Sequence, residues 1–168
     1  MDHPEKKITV EFAKLLRDIT FESLSRETVE YSKVLLLDHI GCMLVGSTAP
    51  WTQPIYKYMT SFGGRPQARV LNHGSRVTVH DAAFVNSVFG QGCEWDDFSG
   101  PFYGAGHAGA GVWPIILAMG EFLGSNGRDL IAAGAAGYEC MTRLGKSVRP
   151  GSDHRGFHEH GIDRKSVV

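Results

Sequence analysis

The chain predicts a mainly α-helical fold, and three observations carry that prediction. Apolar residues recur every three or four positions over several long windows, which is the period of a helix face. One short stretch, 68–79, has the composition and the central turn of a small β-hairpin. The 21 glycines exceed the usual share of roughly 7% but are too dispersed for a linker, so they should mark turns and close helix contacts.

Ile8 to Ile19 reads as the first helix, with Phe12, Leu15, Leu16 and Ile19 on one face. Ser25 is a natural N-cap for a second, because its hydroxyl can accept from an otherwise unpaired first-turn N–H, and Glu27 suits the positive end of that helix. This helix should run to about Val45. The run Val34-Leu35-Leu36-Leu37 leaves it little polar surface, so it is expected to be central and buried. Gly46-Ser47-Thr48-Ala49-Pro50 ends it, and a short helix over 51–62 stops at Gly63-Gly64. Ala68 to Leu71, a turn at Asn72-His73-Gly74, and Arg76 to Val79 form the hairpin. Asp81 then begins a helix that ends near Cys93. Val112, Ile115, Ile116, Met119 and Leu123 mark a further helix closed by Gly124. The last runs from about Asp129 to Ser147. Gly134 and Gly137 inside it each cost about 1 kcal/mol relative to Ala, which makes sense where another helix packs at close range.

A chain of 168 residues holds one domain or a piece of a larger one. Its formal charge of −1 argues against nucleic acid and anionic membrane as partners, since both attract a basic excess. No apolar run reaches the roughly 18 residues of a membrane span, and no signal-like apolar region follows the N-terminus. Cys42, Cys93 and Cys140 are odd in number and form no CxxC pair, so they read as small buried hydrophobes in a reducing compartment. The expected location is the cytoplasm.

Three segments could carry chemistry. Glu94-Trp95-Asp96-Asp97 follows a helix C-terminus, where the helix dipole disfavours anions; it reads either as a solvated acidic loop or as a functional cluster held by Trp95 and Phe98. Gly104-Ala105-Gly106-His107-Ala108-Gly109 matches GxGxxG, but no apolar strand leads into it, so dinucleotide binding is not expected. A loop feeding a helix N-terminus, with His107 beside the anion such a terminus attracts, fits better. Asp153, His154, His158 and His160 lie close together between flexible glycines. That pattern suits a catalytic or substrate-binding role, ordinary surface histidines, or part of a metal site.

The motifs Leu35-Leu36-Leu37-Asp38-His39-Ile40-Gly41-Cys42, Asp81-Ala82-Ala83-Phe84-Val85-Asn86 and Glu94-Trp95-Asp96-Asp97 run in order along the chain. They continue with His107-Ala108-Gly109-Ala110-Gly111-Val112-Trp113-Pro114, Gly137-Tyr138-Glu139 and Arg155-Gly156-Phe157-His158. Together they resemble the MmgE/PrpD family, which includes 2-methylcitrate dehydratase and cis-aconitate decarboxylase. The acid-to-His107 spacing is a few residues longer here, and Glu159 stands where the family pattern has Pro.

The resemblance implies a cofactor-independent lyase acting on a small di- or tricarboxylate, dimeric, with a large helical domain and a smaller lid. It implies catalytic roles for His158, His107, Asp96 and Asp97, and substrate contacts from Glu94, His107, Gly109 and Arg155. Removing water from a β-hydroxy acid needs a base at carbon and an acid at the leaving hydroxyl, and decarboxylation is the alternative chemistry in the same family. A metal-binding or non-catalytic helical module is the reading from another class. Family members are much longer, so residues 1–162 are expected to be the N-terminal part of the helical domain, inactive alone. Asp163 to Val168 reads as the translation of a common sequencing adapter, and a non-native tail is expected over 163–168.

Overall fold

The computed structural model describes residues 4–99, 106–148, 151 and 155. Helix α1 (Pro4–Arg17) is followed by a 3-10 turn (Phe21–Ser23), the long helix α2 (Arg26–Gly46) and the short helix α3 (Gln53–Ser61). Strands β1 (Ala68–Arg69) and β2 (Arg76–Val77) pair antiparallel, Ala68 opposite Val77 and Arg69 opposite Arg76. Helices α4 (Val79–Gln91), α5 (Ala108–Leu123) and α6 (Gly127–Val148) complete the described elements. The mainly helical fold with one small hairpin is what the periodicity predicts.

Local chemistry explains most boundaries. The Ser25 hydroxyl accepts from Thr28 N–H at 3.1 Å, the expected N-cap of α2. Thr78 does the same for α4, accepting from Asp81 N–H at 3.2 Å. The hairpin is therefore shorter than expected, because Val79 belongs to the helix instead of β2. Gly124 closes α5 in the left-handed region at φ 67°, where a glycine adds no Cβ penalty. Helix α5 begins at Ala108 instead of Val112, so Pro114 lies inside it and leaves the Ala110 carbonyl without its helical partner.

Helices α2, α4, α5 and α6 pack around one another, with α4 against α5 the most extensive face. Met43, Val85, Phe89 and Ala118 join Ala68, Val70 and Val77 of the hairpin in the main core. Ala108, Val112 and Met141 form a smaller core between α5 and α6. Asn86 ties the hairpin to α4: its amide oxygen accepts from Leu71 N–H at 2.9 Å, and its nitrogen donates to Arg69 O at 3.0 Å. The close contacts expected at Gly134 and Gly137 are present. A Cβ at Gly134 would lie 2.3 Å from the Trp113 ring, and one at Gly137 would lie 2.9 Å from Val112.

Helix α2 departs from the expectation of full burial. Val29, Ser32, His39, Cys42, Met43 and Gly46 face the interior, whereas Tyr31, Val34 and Leu37 are exposed, Leu37 by 71%. The four-residue apolar run spans two faces of the helix, and only one has a partner among the described residues.

Two glycines of α2 give a paired test. A Cβ at Gly46 would stand 1.9 Å from the Phe89 carbonyl oxygen, a backbone atom that cannot swing aside, whereas a Cβ at Gly41 meets nothing within 4 Å. Gly46→Ala should force α2 from α4 and destabilise the domain by up to about 3 kcal/mol. Gly41→Ala should stabilise it by roughly 1 kcal/mol through helix propensity. Urea unfolding of the two variants reads both signs.

Candidate active site

Four segments meet around the start of α5. The 94–99 loop leaves α4, and Ser99 N–H donates to Gly106 O at 3.0 Å, which brings the chain back to the start of α5. Asp97 seats on that start: its Oδ1 accepts from Gly109 N–H at 3.0 Å. First-turn N–H groups of a helix lack intrahelical acceptors and form its positive end, so a carboxylate here is favoured. The acids that follow the unfavourable C-terminus of α4 thus reach the favourable N-terminus of α5. The anion expected at this terminus is, in this structure, the chain's own Asp97.

Tyr138 of α6 completes the seat. Its hydroxyl donates to Asp97 Oδ2 at 3.1 Å and accepts from Trp113 Nε1 at 3.2 Å. Burial pushes the Asp97 carboxyl above its ordinary range, against the opposing pull of the Tyr138 and Gly109 hydrogen bonds. Burial, with the Asp97 charge beside it, raises the Tyr138 hydroxyl too, so it stays a donor.

His107, the residue before α5, lies between two other acids. Its Nδ1 is 3.1 Å from Asp96 Oδ1, and its Nε2 is 3.6 Å from Glu94 Oε2. The three side chains run from inside to outside: Asp96 is fully buried, His107 is 14% exposed and Glu94 is 71% exposed. The Phe98 ring flanks the imidazole at 5.0 Å. Glu94 has φ 55°, the left-handed region, which a glutamate occupies only under strain. Strain of this kind collects where a side chain must be aimed.

His39 of α2 lies beneath these acids and is fully buried. One of its ring nitrogens and one oxygen each of Asp96 and Asp97 lie within 4.8 Å of one another, a spacing a cation could share. Both Asp97 oxygens, however, already accept from Gly109 N–H and Tyr138, and an ion would have to displace those donors. The donor set is therefore better suited to a network of protein groups than to a metal. Gly109 is where they converge. A Cβ there would lie 2.1 Å from Asp97 Oδ1, 3.0 Å from His39 Nδ1 and 3.2 Å from the Tyr138 hydroxyl.

Of the residues read from the sequence as site candidates, Glu94, Asp96, Asp97, His107 and Gly109 come together here. Arg155 is exposed. His158, with Asp153, His154 and His160, lies outside the described residues, as does the 163–168 tail. His39 and Tyr138 were missed as site residues. The available signal was His39 itself, a polar side chain sharing a helical face with Cys42, Met43 and Gly46. Near it an apolar groove of about 470 Å³ runs along Val34, Leu37, Gly41 and Trp95. Cys42 borders that groove, and burial pushes its thiol up to about 11, so it is no nucleophile at neutral pH.

Fold and site together define a helical domain with a carboxylate–imidazole–carboxylate series at a helix N-terminus. The chain belongs to the MmgE/PrpD family: the family model of the MmgE/PrpD N-terminal domain matches residues 10–165. It is 30% identical over 160 residues to a cis-aconitate decarboxylase of Aspergillus terreus, covering 90% of this chain and 32% of that protein. It is 27% identical over 166 residues to the cis-aconitate decarboxylase-like protein oryM of Aspergillus oryzae, covering 92% and 33%. Against the cis-aconitate decarboxylase of Homo sapiens the identity is 28% over 144 residues, covering 83% and 29%. The chain thus spans about a third of the length of the curated relatives it matches. Among the described residues no helix is long and apolar enough to cross a membrane.

The raised Asp97 carboxyl carries a stability prediction. Its folded pKa lies above its unfolded value, so the native state binds more protons across the window between them. Its contribution is full below that window and is lost as pH rises through it. Asp97→Asn removes this dependence. The unfolding free energy of wild type minus variant should therefore fall as pH is raised from about 3.5 to 7. A difference independent of pH would mean that the carboxyl is not desolvated.

Proposed function

We propose that the protein carrying this domain is a lyase that acts on a small di- or tricarboxylate, with His107 as a proton-transfer group. The observation that carries the reading is the series Asp96, His107, Glu94, graded from buried to exposed. Asp96 beside Nδ1 favours a proton on that nitrogen and leaves Nε2 facing Glu94 and solvent. An imidazole so held can take or give a proton at one defined atom. Glu94, the exposed acid with strained backbone, is the second such group. The buried Asp96 and half-buried Asp97 position His107 and the α5 N-terminus instead of meeting substrate.

Two chemistries fit this equipment. In dehydration a base removes the carbon-bound proton and an acid protonates the leaving hydroxyl, so that water departs. In decarboxylation the bond to a carboxylate carbon breaks, its electron pair passes into the adjacent unsaturated system, and a side-chain acid protonates carbon as carbon dioxide leaves. The 2-methylcitrate dehydratase-like reading rests on the family resemblance. The decarboxylase reading has the further support that the curated relatives are named cis-aconitate decarboxylases. His158 and Arg155 as further site residues, a homodimer and a cytoplasmic location belong to the same proposal.

The test is to supply the whole protein with cis-aconitate and with 2-methylcitrate, and to follow carbon dioxide release and water loss separately. Carbon dioxide from cis-aconitate selects the decarboxylase, and dehydration of 2-methylcitrate selects the dehydratase. His107→Gln should lower kcat by about 10²- to 10⁴-fold for whichever substrate is used. Turnover of neither substrate, or a His107→Gln variant as active as wild type, overturns the reading.

A further inference from the structure

We propose that His39 is a positioning residue for the site: held as a cation beside Asp96 and Asp97, it keeps both carboxylates ionised and, through Asp96, fixes the proton of His107 on Nδ1.

The first argument is the box around the ring. A Cβ at Gly90 of α4 would lie 2.3 Å from His39 Nε2 and 2.5 Å from Cε1, and a Cβ at Gly109 of α5 would lie 3.0 Å from Nδ1. Two glycines on two different helices leave the space that the imidazole fills. Its position is thus limited by backbone on both sides.

The second argument is charge. Asp96 is buried and Asp97 half-buried, and neighbouring carboxylates so placed resist double ionisation, so that without a compensating cation one of them takes up a proton. The groups around His39, His107 and the pair can be named element by element. Helix α2 supplies His39, Cys42 and Asp38; the 93–98 loop supplies Cys93 and Glu94; α5 supplies His107 and its N-terminal N–H groups; α6 supplies Tyr138; and α4 presents Gly90. Asp38 and the neutral, high-lying Cys42 thiol offer no positive charge. His107 serves Asp96 from the outer side, and if it alone balanced the pair its own charge would be committed. His39 supplies the balancing charge from beneath and leaves His107 able to exchange its proton.

As a statement about catalysis this rests on the reading of His107 above. As a statement about charge and tautomer it does not, and the test uses the second. Protein labelled with ¹⁵N at histidine is examined by NMR near neutral pH. His39 should show the shifts of a doubly protonated ring, and at higher pH His107 should show the Nδ1–H tautomer. In His39→Gln the His107 tautomer preference should be lost, since a protonated Asp96–Asp97 pair no longer orders it. A neutral His39 in the wild-type protein overturns the proposal without any variant. So does an unchanged His107 tautomer in a folded His39→Gln protein. A shift of His39 on adding Zn²⁺ that a chelator reverses would also overturn it, in favour of a metal site. Should the protein turn over neither substrate while both histidines behave as stated, the lyase reading fails and this one stands.

Discussion

The site depends on one interaction, the Asp97 carboxylate seated on the Gly109 N–H at the first turn of α5. It converts two loose ends, the acidic loop after α4 and the start of α5, into a single corner. The Tyr138 hydroxyl binds that corner to α6, and the approach of His39 binds it to α2. A carboxylate in this position is stabilised by the helix end and by two donors, yet burial still raises it above its ordinary range. The balance is fine, and it makes the corner sensitive to any change in the charge around it.

Much of the fold could be read from local chemistry. Ser25 as a cap, Gly124 as a stop and the hairpin around Asn72-His73-Gly74 are decisions made within a few residues, and they appear as expected. The start of α5 was less legible. His107-Ala108-Gly109-Ala110-Gly111 has the propensities of a loop, and what makes Ala108–Gly111 helical is a carboxylate ten or more residues upstream. The same holds for the acids. Their place after a helix C-terminus leaves a solvated loop and a functional cluster both open, and the burial of Asp96 and half-burial of Asp97 follow from a contact that no local rule contains. The pairing of His107 with Asp96 and Glu94 became visible only once the chain had folded back on itself.

His39 shows a different limit. Its position on the buried face of α2 could be read from spacing, but what it meets there could not. Gly90 and Gly109 make room for its ring, yet Gly90 falls near a helix end and Gly109 in a glycine-rich run, where a glycine suits a turn just as well. A buried polar ring surrounded by glycines from separate helices is a joint property of three elements, and it has no signature in any one of them. The outer face of α2 is the reverse case. Its apolar character was plain in the sequence, and its exposure was legible only as the absence of a partner among the described residues.

The bond from Ser99 N–H to Gly106 O has one more consequence. It pins the two ends of the 100–105 segment together directly before His107, so the route between them does not determine where the imidazole stands. Length in that segment is then close to a free variable: residues can be gained or lost there while the register of acids and histidine is kept.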